Sequence, residues 1–338
     1  YLLLSYFGFL MKKNIAVVGC GHWGKNLVRN FAELGVLASV CDPNTSLAQK
    51  YALQYKVNNS TFAEIISDER IDGVVIAVPA SLHASLAIEA MTAEKHVYVE
   101  KPLAMNQIEA KQMIDLSKKK NLQLMVGHLL QYHPVFIAMR KLLASGELGC
   151  LNYIYSNRLS FGKVRSEEDI IWSFAPHDIS MILSLTREEP ELVRTESSSI
   201  LQSNIADTAI VHMKFKSGLK SHISVSWLHP YKEQKLVVIG KSGMAVFDDT
   251  QPWDKKLALY RHRINSNDEV PRLEKADVQY IDVAESEPLK NECQHFVDVV
   301  SGALMPLTDG DEGLRVLNVL SAATLSQKEN NTVRIENL

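Results

Sequence analysis

Cysteine is scarce in this chain. Cys20, Cys41, Cys150 and Cys293 are the four in 338 residues. No two are spaced as C-x-x-C, and no histidine cluster accompanies them. A disulfide framework, a zinc site or another metal centre is therefore not expected, and a reducing, cytoplasmic setting is. An excess of charge of either sign is missing too. Lys plus Arg number 36 and Asp plus Glu 39, a formal net charge of −3. A chain-wide grip on nucleic acid needs a basic excess, so nucleic acid is not an expected partner, whereas a local basic pocket for an anionic metabolite stays allowed. Membrane-length apolar runs are absent. The opening stretch Tyr1–Leu10, YLLLSYFGFL, falls short of the ~20 residues a bilayer span needs. No Lys or Arg precedes it, so it lacks the charged n-region of a signal peptide. Met11-Lys12-Lys13 reads as a natural start, and residues 1–10 as an extension outside the fold.

What is present is ordinary globular composition, 46% hydrophobic and 22% charged. The length favours two domains. From Asn14 short apolar runs alternate with amphipathic stretches. Asn14–Val18, Leu37–Cys41, Gly73–Ala77, His96–Val99 and Gln123–Val126 read as buried strands. The intervals at 24–34, 46–55, 81–93 and 106–119 read as helices, the last opened by an Asn106/Glu109 capping box. That alternation means a parallel sheet with helices on both faces. After Gly127 the texture changes. Strand-like segments at 151–158, 191–201, 208–215, 219–227, 235–239 and 244–247, with hairpin turns at Lys216-Ser-Gly218 and Lys241-Ser-Gly243, predict a large antiparallel sheet. Two helices close the chain near 288–302 and 309–326. The expected organisation is a domain over 11–127 and a second over 128–338.

Gly19-Cys-Gly21-His-Trp-Gly24 is a G-x-G-x-x-G sequence placed after a strand and at the start of a helix. The first glycine serves the tight turn, the second lets backbone approach a pyrophosphate, and the third allows close helix–strand packing. His22 and Trp23 lie inside this loop and belong to the same candidate cofactor site. Asp42 ends the second strand, where a carboxylate can bond both ribose hydroxyls of NAD and would repel a 2′-phosphate. NAD is the cofactor expected. Pro79 and His83 follow another strand end, the edge where ligands bind in open parallel sheets. For His83 two readings stay open, an approach to the cofactor or a plain helix-surface histidine.

Glu100-Lys101-Pro102 follows the strand His96–Val99 at the same edge. Hydride transfer from an alcohol needs a base for the hydroxyl proton, and a lysine serves once desolvation and a nearby cationic ring lower its pKa from ~10.4.

These motifs, with the later Trp172-Ser-Phe-Ala-Pro-His177-Asp178, together resemble the Gfo/Idh/MocA family of oxidoreductases, from about Met11 to the end of the chain. The resemblance implies an α/β protein, an N-terminal Rossmann domain followed by an α/β domain with a large, mostly antiparallel open sheet. It implies that Lys101 lies against substrate and nicotinamide, and that His177 enters the same site from the second domain. Many members carry an aspartate four residues before that histidine. Here the position is Ser173, which cannot supply charge, so Lys101 is expected to carry more of the proton transfer, with Asp178 a substitute or a helix-start residue.

Within the family the chain resembles dehydrogenases that oxidise the 3-hydroxyl of a UDP-linked N-acetylhexosamine. The likeness rests on Ser156-Asn-Arg158, Gly162-Lys163, Arg165, Glu167-Glu168, the Trp172–Asp178 stretch and the Trp227–Lys235 segment. It implies that Arg158, Lys163 and Arg165 meet a diphosphate, that Trp172 lies in the substrate region, and that His128 and Tyr132 touch the sugar. A dehydrogenase of a free polyol such as inositol, and a dinucleotide-binding sensor without chemistry, are the rival readings. A homodimer or homotetramer formed through the open sheet is also implied.

Overall fold

The computed structural model describes residues 13–162, 164–166, 168–265, 270 and 272–337. Lys163 and the stretch 1–10 lie outside the described residues. The first part of the chain runs β1 (Ile15–Val18), α1 (Gly24–Glu33), β2 (Leu37–Cys41), α2 (Thr45–Tyr55), β3 (Asn58–Asn59), α3 (Phe62–Ser67), β4 (Gly73–Ile76), α4 (His83–Thr92), β5 (His96–Glu100), α5 (Gln107–Lys120) and β6 (Leu124–Gly127). There follow α6 (Pro134–Ala144), β7 (Leu151–Phe161), α7 (Ile170–Thr186), β8 (Pro190–Ser198), β9 (Thr208–Phe215), β10 (Lys220–Ser226), β11 (Leu228–Gly240) and β12 (Met244–Asp248). The rest comprises β13 (Leu257–Tyr260), β14 (Arg263–Asn265), β15 (Arg272–Glu274), β16 (Val278–Tyr280), α8 (Pro288–Val300), α9 (Gly310–Glu329) and β17 (Val333–Arg334).

Two compact units result. The first holds the chain up to His128 together with Glu287–Leu314, and the second holds Leu129–Ser286 and Arg315–Leu338. A single cut at 127/128 therefore misplaces 287–314. The reason is local: α8 turns Leu289, Cys293 and Phe296 inward. Phe296 packs edge-on against Phe31 of α1 and Tyr98 of β5. Burial at the first unit's core thus outweighs proximity in sequence.

In the first unit six parallel strands lie in the order β3-β2-β1-β4-β5-β6. β1 (IAVV) and β4 (GVVI) are buried at every position, as a parallel sheet covered on both faces demands. The order reverses between β1 and β4, which places a ligand crevice at their C-terminal ends. The capping box expected at Asn106 is half formed. Asn106 accepts from Glu109 N at 2.9 Å, but the Glu109 carboxylate accepts from Met105 N. A complete box caps α3, between Thr61 and Glu64.

In the second unit nine strands run β16-β13-β12-β11-β7-β10-β9-β8-β17. Every pairing is antiparallel except β7 with β10. β9 shows why one face is covered: Ala209, Val211, Met213 and Phe215 are buried while Ile210, His212 and Lys214 are exposed. The buried face forms a core with α6, α7 and α9 residues such as Phe136, Ile179 and Leu320. α7 carries the His177 segment, and it is a 17-residue helix with Asp169 as its N-cap. Asp178 therefore lies in the helix interior and does not start it.

Candidate active site

On the first unit the glycine-rich turn links β1 to α1. Gly19 has φ +97°, and a Cβ there would meet Ala77 O at 2.4 Å. A Cβ on Gly24 would stand 1.9 Å from Gly19 O. These two glycines are obligatory for the turn itself. Gly21 differs, since nothing lies within 4 Å of the Cβ it lacks. It is exposed, as are His22 and Trp23, so the loop presents backbone to a ligand at the start of α1. Asp42 accepts from Cys20 N at 2.7 Å and from Asn44 N at 2.8 Å. A carboxylate has about four acceptor sites, so it braces the turn and retains capacity for ribose hydroxyls. This donor and acceptor set fits a dinucleotide. Burial and the Asp42 carboxylate push the Cys20 thiol up to about 12, which leaves it protonated and rules it out as a redox nucleophile.

Pro79 is exposed beyond the end of β4. His83 is neither of the things its position suggested. It is 1% exposed, and its ring spans two backbone carbonyls, Pro102 O at 2.7 Å and Val78 O at 3.0 Å. Both partners lie in loops at the strand ends, and the neutral ring donates its one N–H to one of these carbonyls while its other nitrogen lies against the second. Burial pushes its pKa down, against the pull of both carbonyls.

Glu100 is buried at the end of β5. Its Oε1 accepts from Trp23 Nε1 at 2.6 Å and from the Tyr98 hydroxyl at 3.2 Å. Its Oε2 accepts from Lys101 N at 3.3 Å. Burial raises its pKa, while the Trp23 bond and the Lys101 charge oppose the rise. The Lys101–Pro102 peptide is cis, and Lys101 itself is half-buried. His128 does not present itself to a sugar. It is 1% exposed, and its Nδ1 meets Glu312 Oε2 at 2.5 Å, which fastens the end of β6 to the start of α9.

On the second unit His177 is half-buried on α7, one turn beyond the buried Ser173. The i, i+4 spacing read from sequence therefore holds. Asp178 points the other way. It is 1% exposed and accepts from Arg158 Nε at 2.5 Å, Arg158 Nη2 at 3.1 Å and Ser156 Oγ at 2.5 Å. It anchors α7 to β7 and does not substitute for the aspartate missing at Ser173. Arg158 is thereby committed to a buried partner, contrary to its expected role as a free phosphate ligand. Arg165 makes a surface ion pair with Glu168 at 2.8 Å. Trp172 donates to Thr324 Oγ1 at 2.9 Å and packs on the core, so it supports α9. Tyr132 is 4% exposed. The Glu100–Trp23, His83–Pro102 and Asp178–Arg158 links were not read from sequence. Each partner stood in a recognised motif, but nothing in the spacing announced the pairing.

A parallel sheet with a glycine cradle at its switch point, an acid on the second strand and a lysine at the crevice edge defines a dinucleotide-dependent oxidoreductase. Family models agree. Residues 13–128 match the oxidoreductase family with an NAD-binding Rossmann fold, and residues 136–246 match the Gfo/Idh/MocA C-terminal domain. The chain belongs to the Gfo/Idh/MocA oxidoreductases, and it is an NAD-dependent dehydrogenase. It is 27% identical over 302 residues to UDP-N-acetylglucosamine 3-dehydrogenase of Acidithiobacillus ferrooxidans, covering 89% of this chain and 93% of that one. A solved structure of that enzyme superposes with TM-score 0.83 at 25% identity, covering 94% and 97% of the two chains. Myo-inositol 2-dehydrogenase of Thermotoga maritima is 25% identical over 284 residues, 81% of this chain and 82% of its own.

Proposed function

We propose that this enzyme oxidises the 3-hydroxyl of a UDP-linked N-acetylhexosamine, UDP-N-acetylglucosamine or its uronate, to the 3-keto sugar nucleotide. The supporting observation is the near-complete extent of the likeness to the Acidithiobacillus enzyme, which spans 93% of that relative and so includes its second domain. NAD, when bound, supplies the hydride acceptor; Gly19, Gly21, Gly24, His22, Trp23, Asp42 and Pro79 hold it. Lys101 would accept the hydroxyl proton as the hydride leaves, with His177 assisting or relaying it onward. Ser173 stands where many members of the family carry an aspartate, so Lys101 carries the larger share. Arg165 serves the diphosphate, because an exposed ion pair such as that with Glu168 is worth little and exchanges readily for a phosphate oxygen. A homo-oligomer closing over the exposed face of the nine-stranded sheet and a reducing, cytoplasmic setting belong to the same proposal.

A free polyol is the second reading, and the Arg158–Asp178 pair favours it. That pair removes one of the cations a diphosphate would use. The deciding experiment follows NADH formation with UDP-N-acetylglucosamine, its 6-carboxylate and myo-inositol in parallel. An aminotransferase with its amino donor draws off any ketone. Turnover with one UDP-sugar alone supports the proposal, and turnover with inositol alone replaces it by the polyol reading. NAD binding with no turnover on any of the three moves the assignment to another sugar or to a sensor.

A further inference from the structure

Glu292 lies in the middle of α8, where burial alone would call for leucine. It is 0% exposed, one helical turn from Phe296, whose ring meets Tyr98. Among the described residues neither of its carboxyl oxygens has a formed hydrogen bond. The polar group facing it is the Tyr98 hydroxyl. Tyr98 in turn donates to Glu100, which also receives Trp23 Nε1 and Lys101 N. Two buried carboxyls this close cannot both ionise. Glu100 receives three donors, whereas the Tyr98 hydroxyl alone reaches toward Glu292, an arrangement that favours the charge on Glu100 and the proton on Glu292. Space is reserved for this arrangement. Gly127 pairs with Glu100 across β5 and β6. A Cβ on Gly127 would stand 2.7 Å from the Tyr98 hydroxyl and 3.0 Å from the Glu100 carboxyl.

We propose that Glu292 is a positioning residue for the cofactor site: its carboxylic O–H donates to Tyr98, commits the Tyr98 proton to Glu100, and so fixes the carboxylate that joins Trp23 of the glycine loop to the backbone of Lys101. The other ionisable group acting on Tyr98 is Cys293 of α8, which is itself influenced by Glu287, the residue capping α8, and by Arg29 of α1. Arg29 and Glu287 are already paired with each other. Burial and the Glu100 charge hold Glu292 well above the ordinary carboxyl range. A buried acid left without a fixed acceptor costs stability, and its retention where an apolar side chain would pack is explained by this task.

The test needs no sugar substrate, so its outcome is independent of the substrate proposed above. Infrared difference spectra of the whole protein at neutral pH compare wild type with Glu292→Gln and Tyr98→Phe. The proposal requires one protonated-carboxyl band that disappears in Glu292→Gln and moves to higher frequency in Tyr98→Phe. NADH affinity is then measured by calorimetry. Glu292→Gln, whose amide N–H can donate, stays within about twofold of wild type, whereas Glu292→Leu loses about fivefold or more, one hydrogen bond's worth, without a lower melting temperature. Absence of the band, a band unmoved in Tyr98→Phe, or wild-type NADH affinity in Glu292→Leu overturns the proposal. The Gln and Leu comparison stands if the Tyr98 variant does not fold.

Discussion

The indole N–H of Trp23 reaches the Glu100 carboxylate at 2.6 Å and so joins the glycine loop after β1 to the Glu100-Lys101-Pro102 segment at the end of β5. The two residues are 77 positions apart, yet each lies at a strand's C-terminal end. The parallel sheet brings those ends together at its crevice edge. Cofactor grip and lysine placement thus share one hydrogen bond.

Gly21 and Gly24 should part company on mutation. Gly24→Ala drives a Cβ against the Gly19 carbonyl, so it lowers the melting temperature, by about 1–3 kcal/mol of stability, and impairs NAD binding with it. Gly21→Ala meets nothing in the protein. It keeps the melting temperature and weakens NAD binding, since the added methyl occupies ligand space. Thermal unfolding and calorimetric titration with NAD check both. Equal unfolding losses in the two variants would contradict this division.

Asp178→Ala leaves the Arg158 guanidinium, 13% exposed, without its carboxylate. Breaking a buried pair from one side costs about 3–5 kcal/mol, so the denaturation midpoint falls sharply. Were Arg158 a phosphate ligand awaiting substrate, Asp178→Ala would leave stability intact and alter KM. Urea unfolding of the purified variant distinguishes the two.

Lys101→Met and His177→Asn each retain NAD binding and lose turnover. The expected loss is about 10²–10⁴ in kcat for the principal proton acceptor. The Lys101 variant is expected to be the more damaged. Ser173→Asp, which restores a carboxylate one turn before His177, raises the fraction of activity remaining in Lys101→Met. Steady-state kinetics on whichever sugar turns over give the answer, and an unchanged kcat in Lys101→Met removes the base assignment.

Stability should fall on mild acidification. The folded-state pKa of His83 lies below its ordinary 6.5 because the ring is buried. Above 6.5 both folded and unfolded states hold it neutral, and its contribution is intact. As pH drops below 6.5 the unfolded chain takes the proton first, so stability is lost toward the depressed folded value. His96 and His295 are shifted the same way, also by burial. The melting temperature therefore declines as pH falls below 6.5, and His83→Asn shows a shallower decline. An unchanged slope in that variant would assign the acid sensitivity elsewhere.

Much of the first unit was legible along the chain because its signals are local. Apolar tetrapeptides, the glycine spacing and the acid ending β2 each act within a few residues. The same holds for β9, whose period-two alternation marks one buried face. α7 was harder to read. Its residues 170–186 are apolar on nearly every side, and a helix buried all round loses the periodicity that reveals helices. The strands β13 and β16 were missed for another reason: they are short, and their place in the sheet depends on pairing with β12.

By itself the sequence determined the fold class and the NAD cradle, since each follows from short motifs at strand and helix ends, while Lys101 and His177 came forward as candidate proton carriers through the family resemblance. Only the tertiary structure decided which charges are spent internally. Arg158 is bound by Asp178 from another element, His128 by Glu312 across 184 residues, and His83 by the backbone of Pro102. Only the folded chain likewise decided that α8 returns to the first unit and buries Glu292 beside Tyr98. The physical reason is that a side chain's availability is set by what desolvates and pairs with it, and those partners come from parts of the chain that no local pattern connects.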